Sequence, residues 1–218
     1  MDLHIVYQDN HLFVVKKDFN TKLESLDKEV KDFLTKQNGS ANYLKRLNSI
    51  DSLSSGIVVY VLTSKAYSRL TQQDIDAKYL CVTVGSPQNA EGYFCANVED
   101  LGQDKLGIAP PIKNSYKIDL YYKLLQTQSK ISLQEVVLGG FDTKQIRFAM
   151  SELKSPVFGD KLYGGDILAP NTNLALMLYS LEIEHPTTHN KMTFKCIPTE
   201  DVKPWSYFDL DKLFKFKG

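Results

Sequence analysis

Residues 44 to 62 read LKRLNSIDSLSSGIVVYVL, a stretch that places one carboxylate, Asp51, among serines just ahead of an apolar run. The run GIVVYVL is continuous and has the length of a strand, so it predicts a buried strand. Aspartate, asparagine, serine and glycine bond to their own backbone and favour turns, so an ordinary solvated turn is one explanation of Asp51. A carboxylate with a function at the entrance to a buried strand is the other.

The composition is that of a folded protein. The chain has 218 residues, of which 43% are hydrophobic, enough to bury a sizeable core in one domain or in two closely packed lobes. Lysine plus arginine and aspartate plus glutamate both total 26, so the formal net charge is zero. A neutral protein has no overall field that attracts nucleic acid, and any basic surface must therefore be local.

Cysteine usage and the lack of an export or membrane signal indicate a cytoplasmic protein. Cys81, Cys95 and Cys196 lack the spacing of a metal site and are too few for a disulfide framework, which fits a reducing compartment. The opening MDLHIVYQDN has no basic segment followed by an apolar one. No stretch approaches the roughly 18 apolar residues of a membrane span. We therefore expect no contact with a membrane.

The first half of the chain predicts strands with helices between them. HIVY and LFVVKK lie on either side of QDNH and indicate a hairpin. Ser25 is suited to cap a first helix, and Ser64 is suited to cap a second helix in SKAYSRLTQQ. KYLCVTVG then returns as a strand. The apolar residues of the first helix recur at helical spacing at Leu26, Val30, Phe33 and Leu34.

The second half begins after a polar stretch from Glu99 to Ser115, which contains two glycines and a Pro-Pro pair and is the expected lobe boundary or mobile loop. KIDLYYKLL and KISLQEVVL predict a second hairpin, and LALMLYSLEIEH and KMTFKCI predict late strands. TKQIRFAMSEL predicts a helix, and the aromatic residues of the tail FDLDKLFKFKG favour a short docked helix over a frayed end. Strands without a regular βαβ alternation indicate an α+β fold, a largely antiparallel mixed sheet with flanking helices.

Several familiar kinds of active site are missing from the sequence. It contains no phosphate-cradling glycine motif, no HExxH and no CxxC. SSG is not the flanking pattern of a hydrolase nucleophile elbow, which needs a glycine two positions before the serine. None of the four histidines stands beside a suitable nucleophile. Hydrolysis by a serine triad is therefore disfavoured.

NSIDSLSSG, residues 48 to 56, resembles the catalytic signature of the RluA-type pseudouridine synthases, which isomerise uridine in ribosomal or transfer RNA. That signature runs His-Arg-Leu-Asp, two variable residues, then Thr-Ser-Gly and an apolar strand. Counting back from Ser55 and Gly56 places Asp51 at the position of the catalytic aspartate. The alternative, RLN at 46 to 48, would place Asn48 there, but it needs a three-residue insertion before the serine-glycine pair.

Other segments resemble the family in the same order. IVYQDNHLFVVKK is similar to its opening hairpin, TSKAYSRL to the helix after the signature strand, and KYLCVTVG to the strand with its active-site tyrosine, here Tyr79. TKQIRFAMSELKSPVFGDKLYGG is similar to the Thr-His-Gln-Ile-Arg helix and the Gly-Asp-x-x-Tyr-Gly turn, which gives Arg147 as the active-site arginine. LYSLEIEHPTT resembles the closing strand. The resemblance implies a two-lobed catalytic domain with a central cleft.

The sequence departs from the family pattern mainly where the family grips RNA. Asn48 and Ser49 replace the His-Arg pair that helps the family to extrude and hold the target nucleotide. Lys144 replaces the histidine of Thr-His-Gln-Ile-Arg, and Phe141–Asp142 replaces the preceding Gly-Arg. Ala77 stands where a basic residue is usual, and KKDFN replaces the Pro-Ala-Gly turn. The catalytic set is thus retained while several RNA contacts are not.

The resemblance assigns chemical roles that the residue types can fulfil. Asp51 would be the catalytic nucleophile or base, attacking C1′ of the ribose or removing a proton from C2′. Arg147 could hold that carboxylate bidentately and stabilise its ionised form. Tyr79 could stack on the flipped uracil and relay the proton lost from C5. We therefore expect Asp51 and Arg147 within salt-bridge reach in one cleft, with Tyr79 on its wall.

Arg147 and Tyr79 also have purely structural explanations. Arg147 could be a helix-surface arginine, and Tyr79 could belong to the core. The substrate-binding residues implied by the resemblance are Asn48, Ser49, Ser54, Ser55, Lys144, Gln145 and Ile146. Lysines and arginines that could form a phosphate-binding rim, or only a solvated surface, are Lys144, Lys154, Lys161 and Lys45–Arg46.

The resemblance also implies a domain plan, partners and cofactors. We expect a single catalytic domain over residues 1–218, with lobes at roughly 1–98 and 116–218 and no separate N-terminal RNA-binding module, because the opening hairpin begins at residue 4. RNA would be the partner, through a loop uridine of ribosomal or transfer RNA, and the protein would act as a monomer. The isomerisation needs no metal or redox cofactor. A non-catalytic RNA-binding or assembly protein on the same scaffold is the alternative.

Overall fold

The computed structural model describes residues 3–73, 75–165, 173–198 and 202–214. Four α-helices lie within these ranges: α1 (Leu23–Asn38), α2 (Ser64–Leu70), α3 (Thr143–Glu152) and α4 (Leu210–Phe214). The strands of the described residues are β1 (His4–Gln8), β2 (Leu12–Lys17), β3 (Lys45–Arg46), β4 (Ser55–Val61), β5 (Asp76–Val84), β6 (Glu91–Gly102), β7 (Lys105–Ile108), β8 (Tyr116–Gln128), β9 (Ile131–Gly139), β10 (Leu176–Glu184) and β11 (Lys191–Lys195).

The strands form one mixed sheet. Its order is β1-β2-β4-β10-β5-β9-β8-β6-β7, with β11 paired to β10 and β3 paired to β4. The β4–β10 pair is parallel and the other strand pairs of the described residues are antiparallel. This arrangement confirms the expected α+β class and its largely antiparallel mixed sheet. Among the described helices, none combines the length and the apolar character that a membrane crossing requires.

Strand β4 is buried along its whole length, as its unbroken apolar run predicts. Its second residue, Gly56, has a φ of +127°, which favours glycine. A β-carbon at this position would lie 2.6 Å from the amide nitrogen of Leu178 in β10 and closer still to its carbonyl oxygen. Glycine therefore allows β10 to pack directly against the start of β4, immediately after the turn that carries Asp51.

The helices form where the apolar spacing predicts them, but their caps differ. Helix α1 begins at Leu23, before Ser25, and the side chain of Lys22, its N-cap residue, makes no capping hydrogen bond. Helix α2 is capped by Thr63 rather than Ser64, because the Thr63 side chain accepts the Ala66 amide at 3.2 Å. Ser64 is already the first helical residue. In both helices the observed N-cap residue precedes the predicted one in the sequence, by one residue or more.

The stretch expected as a lobe boundary or mobile loop is largely a hairpin. β6 continues to Gly102, and β7 pairs with it from Lys105, with Val98 opposite Ile108. Residues 102, 103 and 104 turn the chain with positive φ angles. Gly102 therefore marks a tight turn between paired strands, Gly107 lies within β7, and irregular chain remains after Ile108, before β8.

The strand order interleaves the two expected lobes. β10, from the second half of the chain, lies between β4 and β5 of the first half. β6 also crosses the boundary expected after residue 98. The sheet consequently brings the turn at Asp51 and the start of α3 together from opposite halves of the sequence. In the tail, Leu210 is buried and the Phe214 ring lies 5.3 Å from that of Tyr179, so α4 docks as expected; residues 215–218 lie outside the described residues.

Candidate active site

Asp51 is held in a fixed position by groups from two elements. The Ser54 amide donates to Asp51 Oδ1 at 2.7 Å, closing a turn over three residues. The Thr143 hydroxyl donates to Asp51 Oδ2. Thr143 is the first residue of α3, so the carboxylate lies at the positive end of that helix dipole. Both oxygens of Asp51 are therefore engaged and the carboxylate is aimed, which a solvated turn residue does not require.

Lys17, at the end of β2, holds the same turn through hydrogen bonds to its backbone. Its side chain is 1% exposed, and Nζ donates to the carbonyls of Ser54 at 2.6 Å and Ser52 at 3.3 Å. Burial lowers the pKa of Lys17 to about 8, while the charge of Asp51 opposes this decrease. Lys17 was not among the residues predicted from the sequence to belong to the site. A signal was present, because Lys17 follows Val15 by two residues and so shares the buried face of the strand.

Arg147 forms its ion pair with Asp160 instead of Asp51. Its Nε and Nη2 donate to the two carboxylate oxygens of Asp160, each at 2.8 Å, and both side chains are buried. Burial alone would lower the pKa of Arg147, but the hydrogen bonds and charge of Asp160 raise it, with a smaller contribution from Asp51. Arg147 is thus near Asp51 without a direct ion pair, and Asp160, of the Gly-Asp-x-x-Tyr-Gly turn, anchors it.

Asp51 and Arg147 line one pocket of about 600 Å³, here called the Asp51 pocket. A neighbouring pocket of about 540 Å³, the Asp160 pocket, shares Leu53, Asp104 and Arg147 with it. We refer to the two together as the cleft. The Asp51 pocket is lined by Leu47, Ser49, Asp51, Ser52, Leu53, Asp104, Phe141, Asp142, Thr143, Lys144 and Arg147.

Tyr79 lies behind this pocket. Its side chain is 0% exposed, and its hydroxyl donates to the Gly140 carbonyl at 3.4 Å. Burial raises the pKa of Tyr79, and the charges of Asp142 and Asp51 raise it further. The hydroxyl is therefore neutral and electrostatically close to Asp51, while the ring has no face open to solvent. Among the described residues that line the Asp51 pocket, the aromatic one is Phe141, which replaces a glycine of the family pattern.

The expected substrate-binding residues divide between the pocket wall and the interior. Ser49 and Lys144 line the Asp51 pocket. Asn48 is buried, with its amide donating to the Ile57 carbonyl and accepting from the Val59 amide, both at 2.8 Å, so it fastens the turn to β4.

The other four lie around the same turn and helix. Ser54 is buried, and its Oγ has no hydrogen-bond partner among the described residues. Ser55 is a buried first residue of β4, and Ile146 belongs to the core on α3. Gln145 is half-buried on α3 beside Lys144.

The expected basic rim is only partly present at the cleft. Lys144 and Lys161 line it, although Lys144 Nζ lies 3.3 Å from Asp100 on β6. Lys154 is exposed but lines neither pocket. Lys45 instead approaches the Tyr67 ring and Arg46 pairs with Asp27 at 3.2 Å. Cleft residues that carry charge are acidic at Asp51, Asp104, Asp142 and Asp160 and basic at Lys144, Arg147 and Lys161.

Residues 2–152 match the family model described as RNA pseudouridylate synthase. The chain belongs to this family. The matched residues include Asp51, Tyr79 and Arg147 but end before Asp160. The family match therefore covers the segments whose motifs resemble the family up to the end of α3.

Curated relatives of the pseudouridylate synthase chain are about one quarter identical to it. It is 26% identical to the ribosomal large subunit pseudouridine synthase C of Rickettsia bellii over 77% of its length, but the match spans 58% of that relative. It is also 26% identical to the dual-specificity RNA pseudouridine synthase RluA of Escherichia coli, over 88% of the chain and 92% of the relative.

Solved structures show that the fold is the family's. The human RNA pseudouridylate synthase domain containing 1 superposes with a TM-score of 0.76 at 19% identity, covering 98% of this chain and 94% of that one. The human domain containing 4 gives a TM-score of 0.73 at 17% identity. At this identity the likeness concerns the fold alone.

Proposed function

We propose that the protein is an RNA pseudouridine synthase that isomerises an unpaired loop uridine in ribosomal or transfer RNA, with Asp51 as the nucleophile or base. The observation that carries the proposal is the fixed carboxylate of Asp51 in an open pocket, held by Ser54 and Thr143. Membership of the pseudouridylate synthase family and a relative named for the ribosomal large subunit support the substrate class.

The chemistry requires an ionised Asp51 beside the ribose. Attack on C1′, or removal of the C2′ proton, breaks the bond between C1′ and N1 of the uracil. The uracil then turns and C5 bonds to C1′; on the first route this breaks the bond between Asp51 and C1′, and on the second the proton returns from Asp51 to C2′. The proton on C5 is lost as N1 gains one. Thr143 and the positive end of α3 stabilise the carboxylate's charge, and buried Lys17 fixes the turn that carries it.

Phe141 and Tyr79 would share the two roles expected of Tyr79, which are stacking on the uracil and relaying a proton. Phe141 lines the Asp51 pocket and supplies a face against which uracil can pack. Tyr79 lies behind the Asp51 pocket, with a neutral hydroxyl near Asp51. Once substrate displaces its hydrogen bond to the Gly140 carbonyl, this hydroxyl can relay the proton that C5 loses.

The setting of the reaction follows from the substrate class. We propose that the enzyme acts in the cytoplasm, and the three free cysteines fit a reducing compartment, in which disulfides are rare. We propose that one copy of the chain suffices, since Asp51 and the groups that hold it, Ser54, Thr143 and Lys17, are already brought together within one chain.

The second candidate is an RNA-binding or assembly protein that does not catalyse. It is favoured by the burial of Asn48, which fastens β4 where the family pattern has a histidine that helps to hold the target nucleotide. The mixed charge of the cleft favours it as well.

The deciding experiment is pseudouridine mapping of ribosomal and transfer RNA from a strain whose sole copy of the gene encodes Asp51→Asn. Asparagine can still accept the Ser54 amide, and the Thr143 hydroxyl can turn to accept from the new amide, so the fold should survive. We expect modification to vanish at every site that depends on the gene. Asp32→Asn, on the exposed face of α1, is the matched control. Identical modification profiles for wild type and Asp51→Asn would favour the binding protein instead.

A further inference from the structure

Leu53 is an exposed apolar residue at the centre of the cleft. It lies in the turn between Asp51 and Ser54, and 44% of its surface is exposed. It lines both the Asp51 pocket and the Asp160 pocket. An apolar side chain in water forgoes the favourable free energy of burial, so its position between two pockets calls for a physical reason.

The backbone on both sides of Leu53 is held in place. Lys17 Nζ donates to the carbonyl of Ser52 and to that of Ser54, the residues directly before and after Leu53. The Ser54 amide also donates to Asp51. Because the peptides on either side are anchored to a buried cation and to the reactive carboxylate, the Leu53 side chain is displayed outward in a fixed relation to Asp51.

Extrusion of the target uridine requires a kind of side chain that Ser49 cannot provide. A base that leaves a stack must be compensated, and proteins that open a base step often insert an apolar side chain into it. Ser49 lines the pocket, but a serine hydroxyl is too short and too polar to fill the space of a base. Leu53 lies at the mouth of the same pocket and has the size and the apolar surface for this role.

We propose that Leu53 is the positioning residue that packs against the base next to the target uridine and fills the space the uracil leaves when it enters the Asp51 pocket. This inference rests on the proposed function. It assigns extrusion to the rigid turn that also carries Asp51, so the side chain that opens the stack and the carboxylate that attacks the ribose move as one unit.

The test compares Leu53→Ala with wild type on one RNA in two forms. The RNA is the fragment around a uridine that mapping shows to depend on the gene, used as the folded hairpin and as a single strand without its complementary half. We expect Leu53→Ala to lower kcat/KM by about tenfold or more on the hairpin and by less than about twofold on the single strand, where little stacking is broken. Leu53→Met should restore activity on the hairpin. Ile5→Ala, which alters a residue 39% exposed on the edge strand β1, should change neither.

A binding measurement separates extrusion from chemistry. In the Asp51→Asn background, 2-aminopurine placed next to the target uridine should brighten on binding as it loses its neighbour, and adding Leu53→Ala should reduce that change. If wild type is active while Leu53→Ala acts equally on both RNAs, whether unchanged or equally impaired, the role of Leu53 is refuted and the proposed function stands. If wild type modifies no uridine, the proposed function itself fails and this role of Leu53 fails with it.

Discussion

At the scale of single residues, the position of Asp51 depends on hydrogen bonds that arrive from distant parts of the chain. Thr143 reaches it from α3 and Ser54 from its own turn, while Lys17 fixes that turn from β2. A carboxylate aimed in this way loses less orientational freedom when substrate binds, which is how a fixed geometry lowers an activation barrier. Thr143 and Lys17 can each be altered without touching Asp51.

Thr143→Val should reduce turnover without unfolding the protein. Valine has nearly the same shape but no hydroxyl, so Asp51 Oδ2 loses its donor and the carboxylate can turn away from the ribose. Hydrogen bonds to charged groups contribute about 1.5–3 kcal/mol, which corresponds to a loss in kcat of roughly tenfold to a hundredfold. Thr143→Ser keeps the donor and should retain most of the activity. Equal kcat values for the valine and serine variants would show that this hydrogen bond does not orient Asp51.

Lys17 should make stability depend on pH in the alkaline range. Its pKa is about 8 in the folded protein and near its ordinary value of 10.5 when unfolded, so between these values the unfolded chain binds more protons. The free energy of unfolding should therefore gain from this group as pH rises from about 8 to 10.5. In Lys17→Met that gain should be absent.

Lys17→Met should also be less stable at neutral pH by about 1–3 kcal/mol, because the carbonyls of Ser52 and Ser54 lose their donor. Denaturant unfolding at several pH values measures both effects. Lys31→Met, on the exposed face of α1, is the control and should show neither. A wild-type stability that falls with pH just as that of Lys17→Met does would contradict the assigned pKa.

At the scale of elements, the β6–β7 hairpin is tied to the start of α3. Lys144 Nζ lies 3.3 Å from an oxygen of Asp100, and the Tyr163 hydroxyl accepts the Leu106 amide at 2.9 Å. The turn of the hairpin places Gln103 and Asp104 in the cleft. The hairpin therefore forms part of the cleft wall. Asp100 also engages the ammonium group of Lys144, which could otherwise contact a phosphate of RNA.

Asp100→Asn should strengthen RNA binding. The substitution releases Lys144 to contact a phosphate, and exposed ion pairs contribute little to folding, so the hairpin should stay in place. We expect Kd to fall severalfold at low salt. Asp119→Asn is the matched control, since it removes the same charge from the exposed Lys117–Asp119 pair on β8. Equal effects of the two variants would mean that net charge alone, and not Lys144, sets the affinity.

The elements also show what the sequence could and could not predict. Local patterns were sufficient for α1, α3 and the β8–β9 hairpin, because their apolar spacing and short connections lie within a few residues. The β6–β7 hairpin was mistaken for a loop, because its two glycines and the later prolines outweighed the weak alternation of its strands. The cap of α2 was misplaced because Thr63 and Ser64 both suit that position, and that of α1 because its N-cap residue, Lys22, makes no side-chain cap that a sequence pattern could mark.

The site divides in the same way. Asp51 was predicted as a site residue from its spacing to Ser55 and Gly56, a short-range feature. Its neighbours Lys17 and Thr143, and the Arg147–Asp160 pair, depend on how distant strands and α3 meet, which no local pattern records. The ion pair expected between Asp51 and Arg147 was therefore assigned to the wrong carboxylate.

At the scale of the whole molecule, a net charge of zero makes RNA binding depend on a few local cations. If two or three phosphates are neutralised at the cleft, log Kd should change with log salt concentration with a slope of about 1 to 2 for a single strand. Titrations at several potassium chloride concentrations measure this slope, and sucrose at equal osmolality controls for general solvent effects. Affinity that is indifferent to salt would remove RNA as the partner.

Because β10 lies between β4 and β5, the sheet cannot be completed until β10 has been synthesised. β4 and β5 leave the ribosome roughly a hundred residues before the strand that joins them, so their edges wait unpaired while the chain grows. A nascent chain that stopped at residue 152 would already contain every residue that lines the Asp51 pocket. It would still lack the strand on which Gly56 packs, and so the residues that line the Asp51 pocket are all synthesised before the strand that completes the sheet around them.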